Sequence, residues 1–302
     1  MINLDKIKSV NKIYVHENCS DGKASAMILN QCLPGREIIE CSYNTKLHLE
    51  MPTEPGVLFC DFSPHKSRVD DFLNAGAIVL DHHKTTKEEV LRFQDAGLGA
   101  FGDEQTQPGV CGAVLAYNFI YENVNSTNDV IKTFAELAGI RDTWVKESVH
   151  WQKACEQASA LFFYDLKDLL NFQPNKWEDI FTLGEILFKK QIDSASQALN
   201  NSYSLTTKRG TQFNIFSGLT TTSDANDMSK ADIVVGFNYK IVNEKMNIIY
   251  SCRSHKYDVG SLAKANGGGG HTLAAGFSIV LDGLNFANPF NMFLEILEKY
   301  EH

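Results

Sequence analysis

The sequence lacks the features of a secreted or membrane-spanning protein. Its seven cysteines are scattered and odd in number, and none belongs to a Cys-x-x-Cys pair, which is typical of reduced thiols in a cytosol. The N-terminal segment MINLDKIKSV has no apolar signal core. No run of about 18 apolar residues, the length needed to cross a bilayer, occurs in the chain. We therefore expect a cytoplasmic protein with no membrane partner.

The chain is also short of basic residues. Its 28 lysines and arginines stand against 37 aspartates and glutamates, which gives a formal charge of −9 at pH 7. Because affinity for long nucleic acid comes from cations that neutralise phosphates, we do not expect long nucleic acid as the main partner. A short anionic substrate, held locally, is compatible with this charge. The 302 residues suffice for one large domain or two modest ones, and a homodimer is left open.

The first 85 residues alternate short apolar runs with helix-like stretches, starting with KIYVH and ending with AIVLDHH. This alternation predicts a parallel α/β sheet. Three of the apolar runs end in polar residues, namely His16, then Cys60 with Asp61, then Asp81 with His82 and His83. Because the carboxyl ends of parallel strands face one crevice, these polar side chains should converge.

Changes of pattern divide the chain into domains. From about residue 109 to 190 the pattern is helical, which predicts a helical half packed on the sheet. Apolar density then falls in KKQIDSASQALNNSYSLTTKRG, which suits a connecting helix and a polar hinge. Later the strand pattern returns, before a closing amphipathic helix in PFNMFLEILEKY. We predict an α/β domain over 1–183, a helical linker over 184–209, and a smaller α/β domain over 210–302 across a cleft.

Several His, Cys and Asp side chains near the predicted strand ends have metal-binding chemistry. Taken singly they have simpler interpretations, since Ser20 or Asp21 can cap a helix and Asp142 beside Arg141 can form a surface ion pair. A carboxylate such as Asp61, directly after the apolar VLFC, would be costly to bury without a cation or a donor. Together they supply ligands for two metals with a bridging carboxylate, namely His16, Asp21, Asp61, His82 and Asp142. Two such metals suit phosphoryl transfer, because they clamp the attacking and leaving oxygens.

The C-terminal part contains four consecutive glycines, 267 to 270, followed by His271. Glycines expose backbone N–H groups and allow a phosphate to approach closely. His271 and the upstream Arg253 can add hydrogen-bond donors. A bare glycine run is equally typical of a flexible loop.

In this combination and order, the sequence resembles the DHH phosphoesterase superfamily, in the branch whose DHH-associated C-terminal domain carries a GGGH motif. The resemblance covers nearly the whole chain, through HENCSDG, FCDFS, VLDHHKT, IRDTW, SCRS and GGGGHTLAAGF. It implies a larger α/β domain that carries two divalent ions, usually manganese. It also implies a smaller domain that closes on the substrate.

The resemblance implies a role for each matching residue. His16 and Asp61 would hold one ion, and the second ion would be held by Asp21, Asp61, His82 and Asp142. His83 would face the substrate, while Asp81 would orient the site. In the hydrolysis that we expect, a water or His83 would protonate the leaving oxygen. Arg253 would stabilise the charge that develops at the phosphate. The residues that would bind the substrate phosphate are Arg253, Gly268, Gly269, Gly270 and His271.

Cys19 departs from the pattern of the superfamily. The first motif commonly reads Asp-x-Asp after the leading histidine, whereas here Cys19 takes the first of these positions and only Asp21 remains. A thiolate is a softer ligand than a carboxylate and favours zinc or iron over manganese. Three alternatives stay open: Cys19 ligates a softer metal, it stands aside and the first ion binds weakly, or a single ion is used.

Length and charge indicate which phosphoester is hydrolysed. A processive exonuclease resembling RecJ generally has an added oligonucleotide-binding domain, for which the two predicted domains leave no room. We predict a compact metal-dependent phosphoesterase resembling the nanoRNases, which hydrolyses short oligonucleotides or small nucleotide phosphoesters. The alternatives are a catalytically degenerate nucleotide- or RNA-binding protein of the same fold and a RecJ-like single-strand exonuclease. Trp144, Trp151 and Trp177 are interpreted as core aromatics with no role in the site.

Overall fold

The structure, a computed structural model, describes residues 2–124, 128–242, 245–281 and 288–301, with the backbone alone at Val242 and His271. The chain divides into two units, Met1–Phe188 and Lys189–His302. Each unit has its own sheet, and the two are described separately.

A five-stranded sheet forms the centre of the first unit. Its strands are β1 (Lys12–His16), β2 (Glu37–Cys41), β3 (Val57–Cys60), β4 (Ile78–Asp81) and β5 (Gly99–Phe101). Their order is β2-β1-β3-β4-β5, and every neighbouring pair is parallel. Every residue of β3 and β4 is buried, as expected for central strands covered on both faces. The sheet confirms the predicted parallel α/β arrangement.

The helices of this unit follow the strands in the first half and dominate the second half. They are α1 (Leu4–Lys8), α2 (Ser20–Cys32), α3 (Lys46–Glu50), α4 (Val69–Asn74), α5 (Lys87–Asp95), α6 (Gly112–Ala116), α7 (Glu122–Val124), α8 (Asp129–Asp142), α9 (Trp151–Phe163) and α10 (Leu166–Leu169). A π-helical turn, Tyr117–Tyr121, joins α6 to α7, and 3₁₀ turns occur at Lys66–Arg68, Lys84–Thr86 and Pro174–Lys176. A long helix, α11 (Trp177–Asn200), follows. In the part of the chain that the structure describes, no helix combines the length and the apolar character needed to cross a membrane.

Successive side chains of the central strands point into two cores on opposite faces of the sheet. Leu58 and Ile78 belong to the core that includes buried residues of α2, α6, α8 and α9. Phe59 and Val79 belong to the other core, with buried residues of α4 and α5. This alternation follows from the two-residue period of a strand. Packing on both faces fixes the ends of the strands, so the residues that follow the strands also have defined positions.

Two glycines let the helices approach neighbouring backbone closely. A Cβ added at Gly22, in the first turn of α2, would lie 2.2 Å from the carbonyl oxygen of His16. A Cβ added at Gly139, in α8, would lie 1.9 Å from the carbonyl oxygen of Gly109. Since glycine alone has no Cβ, both positions require it. The second contact fixes the end of α8, where Asp142 lies.

The second unit has a six-stranded mixed sheet. Its strands are β6 (Tyr203–Thr206), β7 (Gln212–Ser217), β8 (Ile233–Val242), β9 (Lys245–Ser254), β10 (Gly269–His271) and β11 (Ala274–Val280). Their order is β10-β11-β9-β8-β7-β6, and only β7 and β8 are parallel, with α12 (Thr222–Met228) between them. The core of this unit includes buried residues of α13 (Val259–Ala265) and α14 (Pro289–Tyr300). The predicted smaller α/β unit is confirmed.

The predicted helical linker over 184–209 coincides with two elements of the structure. Its first part continues α11 to Asn200, and its later part forms β6, which pairs with β7. β6 is an edge strand with mostly exposed side chains, so it has no buried apolar face. The exposure of its side chains explains why the sequence of β6 has the polar character of a hinge. The division of the chain into functional domains at 183 and 210 stays a prediction.

We expect Gly139→Ala to lower the free energy of unfolding by about 1–3 kcal/mol, because the added methyl group would overlap the Gly109 carbonyl. This loss should outweigh the helix propensity gained from alanine, about 1 kcal/mol. Gly269→Ala is the control, since nothing lies within 4 Å of its added Cβ, and its stability should change by less than about 0.5 kcal/mol. Urea unfolding measures both variants. An unchanged midpoint for Gly139→Ala would contradict the close contact.

Candidate metal centre

Asp61 lies at the centre of the candidate site, directly after β3, and is fully buried. Its backbone is left-handed, with φ of 53°, a conformation that few residues other than glycine adopt. Gly112 packs against it so closely that a Cβ there would lie 2.4 Å from the Asp61 Cβ. The two carboxylate oxygens face different imidazoles: Oδ2 lies 3.7 Å from His16 Nδ1, and Oδ1 lies 3.1 Å from His82 Nε2. Asp61 therefore joins two groups of potential ligands.

The first group consists of His16, Cys19 and Asp61, which offer one ligand atom each, all within 4.8 Å of one another. His16 Nδ1 and Asp61 Oδ2 are buried, and neither has a hydrogen-bond partner among the described residues. Buried polar atoms without a partner are rare and costly. Two such atoms that face each other fit a cation bound by both. Cys19, at the start of α2, is half-buried and completes the group.

The second group consists of Asp21, His82 and Asp142, again within 4.8 Å of one another. His82 Nε2 lies 3.7 Å from Asp21 Oδ2 and 3.3 Å from Asp142 Oδ2, in addition to its contact with Asp61. Within the described residues, all ion pairs of these three carboxylates are with histidines. Converging carboxylates whose ion-pair partners are histidines have the chemistry of a divalent-cation site.

Asp21 is held in place by donors that the sequence did not reveal. Its Oδ1 accepts hydrogen bonds from the Cys111 thiol at 2.9 Å and from the Ala113 backbone N–H at 2.8 Å. Its Oδ2 accepts one from the Gly112 backbone N–H at 2.6 Å. These donors lie at the start of α6, about 90 residues from Asp21 along the chain. They fix the carboxylate so that an Oδ2 lone pair faces His82.

Asp81 ends β4 and is buried in a dense set of donors. Its Oδ1 accepts hydrogen bonds from the backbone N–H groups of His82 and His83, at 2.8 and 3.3 Å, and from His83 Nδ1 at 2.6 Å. Its Oδ2 accepts from the hydroxyl groups of Tyr43, Ser63 and Thr86. Burial opposes ionisation, but the hydrogen bond and charge of His83 outweigh it and lower the pKa of Asp81. With its lone pairs occupied, Asp81 is placed to orient neighbouring side chains, and this role stays a prediction.

His83 takes its orientation from this carboxylate. Burial would lower the pKa of His83, but the hydrogen bond from its Nδ1 to Asp81 and the Asp81 charge raise it above its ordinary value. About 30% of the side chain is exposed. Since Nδ1 is engaged by Asp81, Nε2 is the ring nitrogen that can meet a substrate.

Asp61 and Asp142 lack the donors that surround Asp81, and their pKa values shift upward, in the opposite direction from that of Asp81. Burial, followed by the charge of Asp21, raises the pKa of Asp142 to about 6. The same two causes raise the pKa of Asp61 well above its usual value. Burial and then the charge of Asp61 also raise the pKa of the Cys19 thiol. Groups that repel one another in this way are stabilised in their ionised form by a bound cation.

The residues predicted to bind phosphate lie together at one end of the second sheet. Ala274 of β11 pairs with Arg253 of β9 on one side and with His271 of β10 on the other. The Arg253 guanidinium donates to the Ser251 hydroxyl at 3.2 Å and to the Cys252 carbonyl at 2.9 Å. The side chain of His271 lies outside the described residues. A cavity beside the glycines is lined by Asp258, Gly260, Ser261, Lys264, Gly268, Gly269, Gly270 and Thr272.

No protein-family model matches the sequence, and no curated protein matches it. Among solved structures, the chain is similar to the DHH domain of a protein described as a member of a family of ribosomal proteins, with a TM-score of 0.60 and 13% identity over 98% of this chain and 87% of that chain. The chain therefore has the fold of a DHH-domain protein, as the resemblance predicted. It is also similar to PggH, a pGpG-specific phosphodiesterase from Vibrio cholerae, with a TM-score of 0.52 and 10% identity over 97% of this chain and 99% of that chain. At these identities the likeness is one of fold.

We expect Mn²⁺ at 100 times its Kd to raise the free energy of unfolding of the wild type by about 2.7 kcal/mol, because only the folded chain brings the ligands together. The variant Asp61→Asn should gain much less from Mn²⁺. In EDTA at pH 7 it should be at least as stable as the wild type. The reason is that burial and the charge of Asp21 raise the pKa of Asp61, so its ionised form destabilises the folded state above the unfolded pKa.

Urea unfolding with and without Mn²⁺ measures both effects. The control is Asp95→Asn, an exposed carboxylate in the last turn of α5, which should respond to Mn²⁺ like the wild type. Equal stabilisation of Asp61→Asn and the wild type by Mn²⁺ would exclude Asp61 as a ligand.

Proposed function

We propose that the chain is a metal-dependent phosphoesterase that hydrolyses short oligonucleotides or small nucleotide phosphoesters. The proposal rests chiefly on Asp61, whose two oxygens face two different imidazoles, those of His16 and His82. A shared carboxylate between two ligand groups is the arrangement that a two-metal phosphoester site requires. A pGpG-specific phosphodiesterase has the same fold, which supports a short nucleotide diester as the class of substrate.

The residues present would hold two divalent cations. The first would be bound by His16, Cys19 and Asp61, and the second by Asp21, Asp61, His82 and Asp142. Bound cations of this kind lower the pKa of water and neutralise charge on a phosphate. The second group offers only oxygen and imidazole ligands, which suits manganese. The first group includes the Cys19 thiol, which favours zinc or iron over manganese.

His83 is suited to hold the proton that the leaving oxygen needs. Its Nδ1–H donates to Asp81 at 2.6 Å, and the hydrogen bond and charge of Asp81 raise the pKa of the ring, which favours a proton on Nε2. Because Asp81 is itself fixed by Tyr43, Ser63 and Thr86, the ring cannot turn freely. A fixed and protonated imidazole is an efficient general acid. Arg253, in the second unit, is proposed to bind the substrate phosphate together with Gly268, Gly269, Gly270 and His271.

A hydrolysis panel tests the function. The substrates are a dinucleotide, a five-nucleotide RNA, a longer single strand, adenosine 3′,5′-bisphosphate and a cyclic dinucleotide, each with Mn²⁺, Zn²⁺ or no added metal. We expect metal-dependent turnover of the short substrates. In Asp61→Ala the kcat should fall by at least about a thousand-fold, because the shared ligand of both groups is removed. Asp95→Asn is the control and should keep wild-type activity.

The panel also separates the alternatives. Retention of a tenth of the activity by Asp61→Ala would exclude the two-metal arrangement. Turnover of the long strand alone would indicate a RecJ-like exonuclease. Binding of nucleotides without turnover in any well would indicate a binding protein that has lost catalysis.

The role of Cys19 is tested by replacing its soft ligand with a hard one. Cys19→Asp should shift metal content and activation from zinc or iron toward manganese, since a carboxylate prefers harder cations. Cys19→Ser removes the thiolate without adding a carboxylate, and it should lose metal from the first group. Metal content of the purified variants and their activation by Mn²⁺ measure both effects. Unchanged metal preference and occupancy in both variants would show that Cys19 is not a ligand.

A further inference from the structure

Trp144 lies on the surface, only two residues after Asp142, with 44% of its surface exposed. The expectation that the three tryptophans are core residues is correct for Trp177, which is fully buried, and wrong for Trp144. Trp151, at the start of α9, is half-buried. Nearly half of the Trp144 indole thus lies at the surface, two residues after a ligand of the candidate metal centre.

The backbone at Trp144 makes this placement unusual. The helix α8 ends at Asp142 with Thr143 as its C-cap, and the Val145 N–H then donates to the carbonyl of Ile140 at 3.0 Å. Trp144 lies between Thr143 and Val145 with φ of 56°, in the left-handed conformation that glycine normally adopts at such helix ends. A bulky side chain is disfavoured in this conformation, because its Cβ crowds the neighbouring carbonyl oxygen. With 44% of its surface exposed, the indole gains only part of the burial that would offset this cost.

Two cations lie over this indole and its neighbour. The Arg141 guanidinium is 4.6 Å from the ring centroid of Trp144 and 5.5 Å from that of Trp151. The Lys146 ammonium is 4.7 Å from the first ring and 5.9 Å from the second. The two indoles are 5.7 Å apart and tilted by 36°. We call these four residues the Trp144 platform.

The chemistry of the platform matches one class of ligand. Exposed aromatic rings interleaved with Lys and Arg bind nucleic-acid components, because bases stack on the rings and phosphates pair with the cations. A two-residue separation along the chain keeps the Cα of Trp144 within about 7 Å of the Cα of Asp142. This distance is comparable to the separation of base and phosphate within one nucleotide. The short separation along the chain is therefore compatible with a nucleotide whose phosphate is held at the metal centre and whose base contacts Trp144.

We propose that the Trp144 platform binds the base next to the phosphate that is cleaved, and so selects nucleotides over other phosphoesters. The inference rests on the proposed function, which supplies the phosphate at the metal centre. Trp144 is a binding residue in this scheme, and it does not take part in proton transfer. Removing it should therefore weaken binding of a base-bearing ligand and spare binding of the phosphate.

The test compares the binding of adenosine 5′-monophosphate with that of ribose 5-phosphate, which has the phosphate but no base, by calorimetry in Mn²⁺. The wild type should bind the nucleotide about 5- to 150-fold more tightly, the range expected from stacking of one base. In Trp144→Gly and Trp144→Asn this preference should fall to about onefold, with the affinity for ribose 5-phosphate unchanged. In Trp144→Phe most of the preference should remain. Phe163→Ala, which removes an exposed aromatic at the end of α9, is the control and should keep the full preference.

Stability measurements separate lost binding from misfolding. Glycine and asparagine are the residues best tolerated in the left-handed position, so both variants should unfold at or above the wild-type midpoint. The proposal is overturned if wild type shows no preference for the nucleotide, or if Trp144→Gly retains it. If the preference for the nucleotide depends on Trp144 but the hydrolysis panel shows no turnover, the proposed function is wrong and the Trp144 platform is still a base-binding site. If the protein turns over substrate and Trp144→Gly keeps the full preference for the nucleotide, the platform proposal is wrong and the proposed function is unaffected.

Discussion

The cost of burying negative charge determines how the carboxylates of the first unit are surrounded. Four carboxylates, those of Asp21, Asp61, Asp81 and Asp142, lie close together, and burying an anion is costly unless donors or cations surround it. Asp81 is satisfied by side-chain and backbone donors, and Asp21 by the start of α6. The ion-pair partners of Asp61 and Asp142 among the described residues are histidines. Asp81 and Asp21 are thus held by protein donors, whereas Asp61 and Asp142 lack comparable donors in the described part of the chain and would be stabilised in their ionised form by a cation.

The precision of this arrangement comes from backbone contacts. Gly22 packs closely against the carbonyl of His16 at the end of β1, and Gly112 packs against the Cβ of Asp61. Gly139 packs against the carbonyl of Gly109, in the loop before α6. At each point a side chain would push apart two elements that build the candidate site. Because backbone atoms are less mobile than long side chains, ligand positions fixed in this way need little reorganisation when an ion or a phosphate binds. The left-handed backbone of Asp61 is part of the same geometry.

Much of the site followed from the sequence because parallel strands end at one edge. His16, Asp61 and the segment from Asp81 to His83 were expected to converge on that ground, and the structure brings them together. The donors from Cys111 and Gly112 were not foreseen, since nothing in a local pattern links α6 to a carboxylate so distant in the chain. Trp144 was missed because its exposure depends on how α8 ends. The strand β6 was missed because an edge strand need not alternate.

The sharing of Asp61 makes the two ligand groups one thermodynamic unit. An ion bound by His16 and Asp61 would have to displace the proton that burial and neighbouring charges favour on this carboxyl group. A second ion at His82 would then find Asp61 already ionised, and only mutual repulsion of the ions would oppose it. Linkage requires that each ion alter the affinity for the other by the same factor. The affinities of the two groups are thus expected to be coupled, and the balance between proton release and cation repulsion sets the sign and size of that coupling.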